Sequence, residues 1–238
     1  MLHLLHGNFG LPYDWDACLP PEVPVKAWHL WEIYRNHPET RSLTGFAAWF
    51  NNQIEAHPHP GPDHLAGYSL GGRLALHVLA DRPALWQQAL FLSTHPGLTS
   101  DAERTARLSH DMAWRARCLS SESWHTLSDA WNSQPVLRSP SQASPPDHAA
   151  LEPWRQEIAG AFVDWSLGHQ HDQLPILAKL PITGQWLAGA VDPKFNGLAQ
   201  QTSQSLSLFK HQIIPQAGHR LLTDCPATVK KIIQASLG

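Results

Sequence analysis

Short apolar runs alternate along the chain with segments whose apolar residues recur every three or four positions. Met1–Leu5 is a brief apolar run ending at His6-Gly7, which reads as a buried strand entering a turn. Val25–Trp31 (VKAWHLW) reads as a second strand. Leu43, Phe46, Ala47, Phe50 and Ile54 then recur at helical spacing behind the candidate caps Thr40 and Ser42. The proline-rich cluster from His57 to Pro62 interrupts the chain. A short strand through Leu65-Ala66 follows, then a turn over Gly67–Gly71 and a helix over Arg73–Ala80. Ala89–Leu92, Gln185–Ala190 and Leu208–Ile214 read as further buried strands, and Thr228–Leu237 as a closing helix.

Strands separated by helices predict an α/β fold, a mostly parallel sheet flanked by helices on both faces. Between about Thr99 and Leu180 no strand stands out. The windows Ala102–Leu119, Ser121–Trp131 and Leu151–Trp165 look helical, with a Pro/Ser-rich link from Ser139-Pro140 to Pro145-Pro146 between the last two. The expected organisation is a core made of residues 1–98 and 181–238, with a helical cap of residues 99–180 inserted in it.

Composition narrows the function classes. The 238 residues suit one α/β domain, and 42% hydrophobic content with 11 Trp supplies a large core. The balance of 17 Lys+Arg against 20 Asp+Glu gives a net charge of -3, which argues against a nucleic-acid-binding stripe. No run approaches the roughly 20 apolar residues of a membrane span. Met1-Leu2-His3-Leu4-Leu5 lacks the charged and apolar regions of a secretory signal. Cys18, Cys118 and Cys225 are too few and too far apart for a disulfide framework. The expectation is a soluble protein of a reducing compartment, the cytoplasm.

Chemistry concentrates at a few turns. Gly67-Tyr68-Ser69-Leu70-Gly71 fits G-x-S-x-G between an apolar run and an amphipathic segment, the setting of a nucleophile elbow. A serine hydroxyl needs a histidine to take its proton and an acid to orient that histidine. In this fold type they follow in the order Ser, Asp, His. Asp192 lies just past the strand at Gln185–Ala190, and His219 lies in a glycine-bearing loop past Leu208–Ile214. Asp192 before Pro193 also suits a plain turn, and Asp172 and Asp224 are less well placed acids. The turn His6-Gly7-Asn8 directly follows the first strand, where such folds supply one oxyanion donor. The N–H groups of Asn8 and Leu70 are the expected pair. Sixteen histidines are present, with H-x-H pairs at His57/His59 and His169/His171. Neither pair has the third and fourth ligands that a metal site needs, so no metal is expected.

A closer resemblance is carried by Leu5-His6-Gly7-Asn8-Phe9-Gly10, Gly67-Tyr68-Ser69-Leu70-Gly71-Gly72-Arg73 and His95-Pro96-Gly97-Leu98. It continues through Glu103-Arg104, Arg107, Asp111, Trp114, Trp131, Asp192 with Lys194-Phe195, and Ile214-Pro215 with Ala217-Gly218-His219. These residues resemble the 2-succinyl-6-hydroxy-2,4-cyclohexadiene-1-carboxylate synthases, α/β-hydrolase-fold lyases of menaquinone and phylloquinone biosynthesis. The resemblance implies a cofactor-free elimination of pyruvate from a small anionic cyclohexene carboxylate, with Ser69, His219 and Asp192 acting in base catalysis. It also implies anion-binding roles for Arg73 and Arg107, whose planar guanidinium groups suit carboxylates. Tyr68 and Trp131 match pocket-lining positions, and Arg155 is the nearest candidate for a further cap arginine. With His6 at the oxyanion turn, the expected substrate-binding set is Arg73, Arg107, Tyr68, Trp131, Arg155 and His6. The chain departs from the family pattern after its second strand, where Trp31-Glu32-Ile33-Tyr34-Arg35 stands in place of D-x-x-G-H-G. A carboxylesterase or thioesterase with the same triad is the alternative, distinguished by an acyl-enzyme.

Overall fold

Consecutive apolar residues in an extended segment need cover on both sides, and six such segments form one sheet. In the computed structural model, which describes residues 1–138 and 148–237, the strands are β1 (Leu2–Leu5), β2 (Val25–Trp28), β3 (Asp63–Tyr68), β4 (Trp86–Leu92), β5 (Thr183–Gly189) and β6 (Phe209–Ile214). Their order across the sheet is β2-β1-β3-β4-β5-β6, and every neighbouring pair is parallel. Side chains alternate between the two faces. Leu4, Ala66, Leu90, Leu92 and Leu187 pack on one side with Trp15, Val229 and Ile233. Leu5, Leu65, Phe91 and Trp186 pack on the other with Phe46, Phe50 and Leu74.

The helices are α1 (Leu30–Asn36), α2 (Leu43–Ala56), α3 (Leu70–Asp81), α4 (Asp101–Leu119), α5 (Trp124–Asn132), α6 (Arg155–Asp164), α7 (Leu174–Leu177), α8 (Pro193–Ser205), α9 (Leu221–Asp224) and α10 (Pro226–Leu237). Local chemistry sets their starts. Ser42 Oγ accepts from the Gly45 N–H at the head of α2, and Ser100 with Glu103 forms a capping box at α4. Two sequence expectations change. Only Val25–Trp28 of the VKAWHLW run is strand; His29 accepts from the Glu32 N–H and starts α1, which takes Leu30 and Trp31. A short apolar run carries no period that separates strand from helix, so the cap decides. Helix α8 has no strong apolar stripe and was not expected; Asp192 caps it and Pro193 fills its first turn.

Between β4 and β5 the described residues hold α4 to α7 and no named strand, only an isolated bridge from Leu98 to His171. The Ser/Pro link from Ser139 to Pro146 lies outside the described residues. Among the described residues no helix is long and apolar enough to cross a membrane.

The strand order places the site. From β1 the chain moves outward to β2 and then returns to the other side of β1 as β3. The loops leaving β1 and β3 therefore diverge at their carboxyl ends, the topological switch point where open parallel sheets bind ligands. Close backbone approach is needed there. A Cβ on Gly71 would lie 2.3 Å from the Leu5 carbonyl oxygen and 2.5 Å from that of His6; one on Gly67 would meet the Gly71 backbone at 2.5 Å. Only glycine lets the start of α3 seat against the turn after β1.

Gly71→Ala should therefore destabilise the protein by about 1–3 kcal/mol, the range for overpacking a filled interior, and lower activity by displacing the elbow. Urea unfolding of the variant beside wild type measures this, and an unchanged midpoint would contradict the packing argument.

Candidate active site

Ser69 sits between β3 and α3 with φ 53° and ψ -108°, a left-handed backbone region that costs a non-glycine residue energy. Its N–H donates to the Leu92 carbonyl, which ties the elbow to β4. The strained turn presents Oγ toward His219, whose Nε2 accepts the hydroxyl proton at 3.1 Å. On the other ring edge Nδ1–H donates to Asp192 Oδ2, also at 3.1 Å. Asp192 and His219 are both buried. Asp192 serves two functions at once, because its other oxygen accepts from the Phe195 N–H and caps α8. The residue thus makes the turn and also lies within hydrogen-bond reach of the His219 imidazole.

The histidine loop is held from three sides. Gly218 N–H donates to Asp224 Oδ2 at 2.8 Å, so Asp224 fixes the loop and leaves the imidazole to Asp192. Ser93 Oγ donates to the His219 carbonyl at 2.8 Å. The Phe195 ring lies 4.4 Å from the imidazole, centroid to centroid.

The turn after β1 is pinned as firmly. His6 Nδ1–H donates to the Gly7 carbonyl and Nε2 accepts from the Leu30 N–H, while Trp31 Nε1–H donates to the Gly10 carbonyl. His6 is fully buried, and burial pulls its pKa down to about 3, so it is a neutral strut. It does not line the catalytic cavity, which corrects its expected contact with substrate: both ring nitrogens are committed to backbone. Asn8, two residues on, does line that cavity, as does Leu70.

The cavity over Ser69 has a volume of about 200 Å³ and is walled by core and inserted helices together. From α3 comes Arg73, from α4 Arg107, Asp111 and Trp114, from α5 Trp131, from α6 Phe162, and from α8 Lys194. Arg107 Nε donates to both oxygens of Asp111 at 2.9 Å, and Asp111 also accepts from Ser166 Oγ. Arg73 is buried and, among the described residues, its side chain donates only to the neutral Gln170 Oε1, at 3.3 Å. Burial, with the nearby Arg107 charge second, pulls the Arg73 guanidinium down to about 9, still a cation at neutral pH. His95 also lines the cavity and is buried; desolvation, reinforced by Lys194, Arg73 and Arg107, holds it neutral at about 3.

Two further expectations are revised. Arg155 does not reach the cavity: its guanidinium donates to the carbonyls of Cys118, Arg117, Ser120 and Glu122, satisfying the end of α4. Tyr68 lines a second, adjoining cavity rather than the one over Ser69, while Trp131 lines both. In the sequence Lys194 and His95 stand within the runs Asp192–Phe195 and His95–Leu98, both close to the candidate site. Their direction into the cavity comes from the α8 cap and the loop after β4.

Among the described residues one trio of metal-competent side chains lies together, His3, His59 and Asp63. His3 Nδ1 accepts from Trp28 Nε1–H, so the His3 proton sits on Nε2 and donates to Asp63 Oδ1 at 2.8 Å. That atom therefore offers a proton, where a cation needs a lone pair.

Comparisons with known proteins agree with this geometry. No family model matches the chain. It is 37% identical over 161 residues to the 2-succinyl-6-hydroxy-2,4-cyclohexadiene-1-carboxylate synthase of Serratia proteamaculans, covering 65% of this chain and 60% of that one. The synthase of the same name from Photorhabdus laumondii is 35% identical over 161 residues, covering 65% of this chain and 55% of that one. The matches thus span less than two thirds of those relatives' length. In structure the chain superposes on MenH from S. aureus with a TM-score of 0.77 at 19% identity, covering 99% of this chain and 92% of that one. The parallel sheet, the elbow and the Ser–His–Asp geometry define an α/β-hydrolase-superfamily protein. In sequence the chain is similar to 2-succinyl-6-hydroxy-2,4-cyclohexadiene-1-carboxylate synthases over 65% of its length.

The two buried neutral histidines give the fold an acid-sensitive signature. Each has a folded pKa near 3 against about 6.5 unfolded, so the unfolded chain binds more protons between those values. The stability that they contribute is complete above about pH 6.5 and is lost as pH falls toward 3, by up to about 1.4 kcal/mol per pH unit for each histidine. His6→Gln should flatten the slope of unfolding free energy between pH 6 and 4.5 by about one such increment. An unchanged slope, measured by urea titration at several pH values, would contradict the assignment.

Proposed function

We propose that this protein is a cofactor-free lyase that eliminates pyruvate from 2-succinyl-5-enolpyruvyl-6-hydroxy-3-cyclohexene-1-carboxylate, giving 2-succinyl-6-hydroxy-2,4-cyclohexadiene-1-carboxylate. The observation that carries the reading is the coexistence of a hydrogen-bonded Ser69–His219–Asp192 relay with Arg73, Arg107 and Lys194 around one buried cavity. Such cations select a polyanionic small molecule over a neutral ester.

In this mechanism His219 Nε2 takes the Ser69 hydroxyl proton, and the resulting alkoxide removes the ring proton beside the succinyl ketone. The electron pair of the broken C–H bond moves into the ring, placing negative charge on the ketone oxygen. The N–H groups of Asn8 and Leu70 hold that oxygen. As the ketone re-forms, the pair becomes the C2–C3 double bond, the existing C3–C4 double bond shifts to C4–C5, and the C5–O bond to the enolpyruvyl group breaks. The departing enolate is protonated and becomes pyruvate. Asp192 keeps the imidazole in the tautomer that this requires. Residues 99–180 act as a cap that closes the cavity from water and contributes Arg107 and Trp131. The substrate carries three carboxylates and no part of the step needs a membrane or a nucleic acid, which suits a cytoplasmic enzyme.

The test is pyruvate release from the enolpyruvyl cyclohexene substrate by the purified protein. Ser69→Ala should reduce turnover by about 10³-fold or more. Arg73→Met should raise KM by about 10- to 100-fold, the loss of one charge-assisted carboxylate contact. Rapid turnover of p-nitrophenyl esters without pyruvate release would instead make the protein an esterase.

A further inference from the structure

Beside the catalytic cavity lies a second one of about 90 Å³, and the two share Asn8, Trp131 and Leu137 as walls. Its far side is formed by Phe9, Tyr68, His148 and Arg220. Arg220 directly follows His219 in the chain, and only 9% of it is exposed. Its guanidinium donates to Asn132 Oδ1, a neutral amide that also accepts from His148 Nε2. No carboxylate among the described residues forms an ion pair with it. Asp14 also lines this cavity, but its Oδ2 accepts from the Leu11 N–H, and burial raises its carboxyl to about 6. Asp224, an electrostatic neighbour of Arg220, accepts from the Gly218 N–H. With Asn132 as its hydrogen-bond partner among the described residues and Asp224 acting on it only at a distance, this buried guanidinium has donors left for a further anion.

A count of charges points the same way. The substrate in the reading above has three carboxylates, on the ring, the succinyl arm and the enolpyruvyl group. Arg107 is already neutralised by Asp111, and Arg155 is committed to the carbonyls at the end of α4. Arg73 and Lys194 are then the cations over Ser69 without an ion-paired carboxylate among the described residues, one fewer than the substrate's carboxylates.

We infer that the cavity walled by Tyr68 and Arg220 is a carboxylate subsite that takes the end of the succinyl arm while the ring lies over Ser69. The arm leaves the ring through the ketone that the proposed oxyanion donors hold, and Asn8, one of those donors, is part of the wall common to both cavities. Phe9 and Trp131, stacked on each other at 4.6 Å, form one apolar wall along the arm's methylenes, and Arg220 receives its carboxylate as a bidentate partner. The identity of the arm rests on the lyase reading; the anion subsite itself does not.

The probe is 2-succinylbenzoate, an aromatic dicarboxylate with the same arm and no leaving group, beside benzoate, which lacks the arm. Binding is read by tryptophan fluorescence in wild type, Arg220→Gln and Arg220→Lys. Arg220→Gln should weaken 2-succinylbenzoate binding at least tenfold and leave benzoate binding unchanged, with Arg220→Lys recovering part of the loss. Equal affinity for 2-succinylbenzoate in wild type and Arg220→Gln overturns the subsite, as does an equal loss for both ligands. If wild type releases pyruvate while Arg220→Gln binds the probe as well as wild type does, the subsite fails alone. If the probe binds through Arg220 and wild type releases no pyruvate, the subsite stands and the lyase reading fails.

Discussion

The contact that the rest depends on is the seating of the Gly71 backbone against the carbonyls of Leu5 and His6. It brings the start of α3 to the turn after β1, and so sets Ser69 beside the loop that carries Asn8. The strain at Ser69 is tolerable because the elbow is over-determined. β3 lies between β1 and β4, the Ser69 N–H is held by Leu92, and glycines on both sides permit the close approach. His219 and Asp192 then need only arrive from the ends of β5 and β6, which the parallel order delivers to the same edge.

The second constraint is electrostatic. The chain carries a net charge of -3, yet its cavity gathers Arg73, Arg107 and Lys194, with Arg220 next door. Low dielectric strengthens each of these charges for an incoming anion and penalises each while it is unpaired. The protein answers that penalty with neutral partners: Gln170 for Arg73 and Asn132 for Arg220. Asp111 is the exception, and it fixes Arg107 in direction as well as charge. His95, beside Arg73 and Lys194, is held neutral by burial, so it adds no competing charge.

The elbow, the positions of Asp192 and His219 and the alternation of strands with helices were legible because each is written locally: a G-x-S-x-G turn, an Asp and a His just past apolar runs, and short apolar runs alternating with segments of period 3.6. What escaped was set by tertiary partners. Arg155 looks in sequence like any cap arginine, and only the approach of α6 to the end of α4 shows that backbone carbonyls take it. His6 reads as a site residue by position, yet Leu30 and Gly7 occupy both its nitrogens. Tyr68 alternates to the opposite wall from the one expected, into the cavity that Arg220 closes. Arg220 itself had no signal beyond adjacency to His219, and α8 had only its cap.

The central claim is that the Ser69–His219–Asp192 relay moves a proton and forms no bond from Ser69 to substrate. It is tested most directly by intact-protein mass spectrometry on samples quenched during steady-state turnover of the enolpyruvyl cyclohexene substrate, with pyruvate measured in the same samples. The expected result is pyruvate accumulating over many turnovers while the enzyme mass stays that of the unmodified chain. A Ser69-linked adduct that forms and decays at the rate of turnover would contradict it.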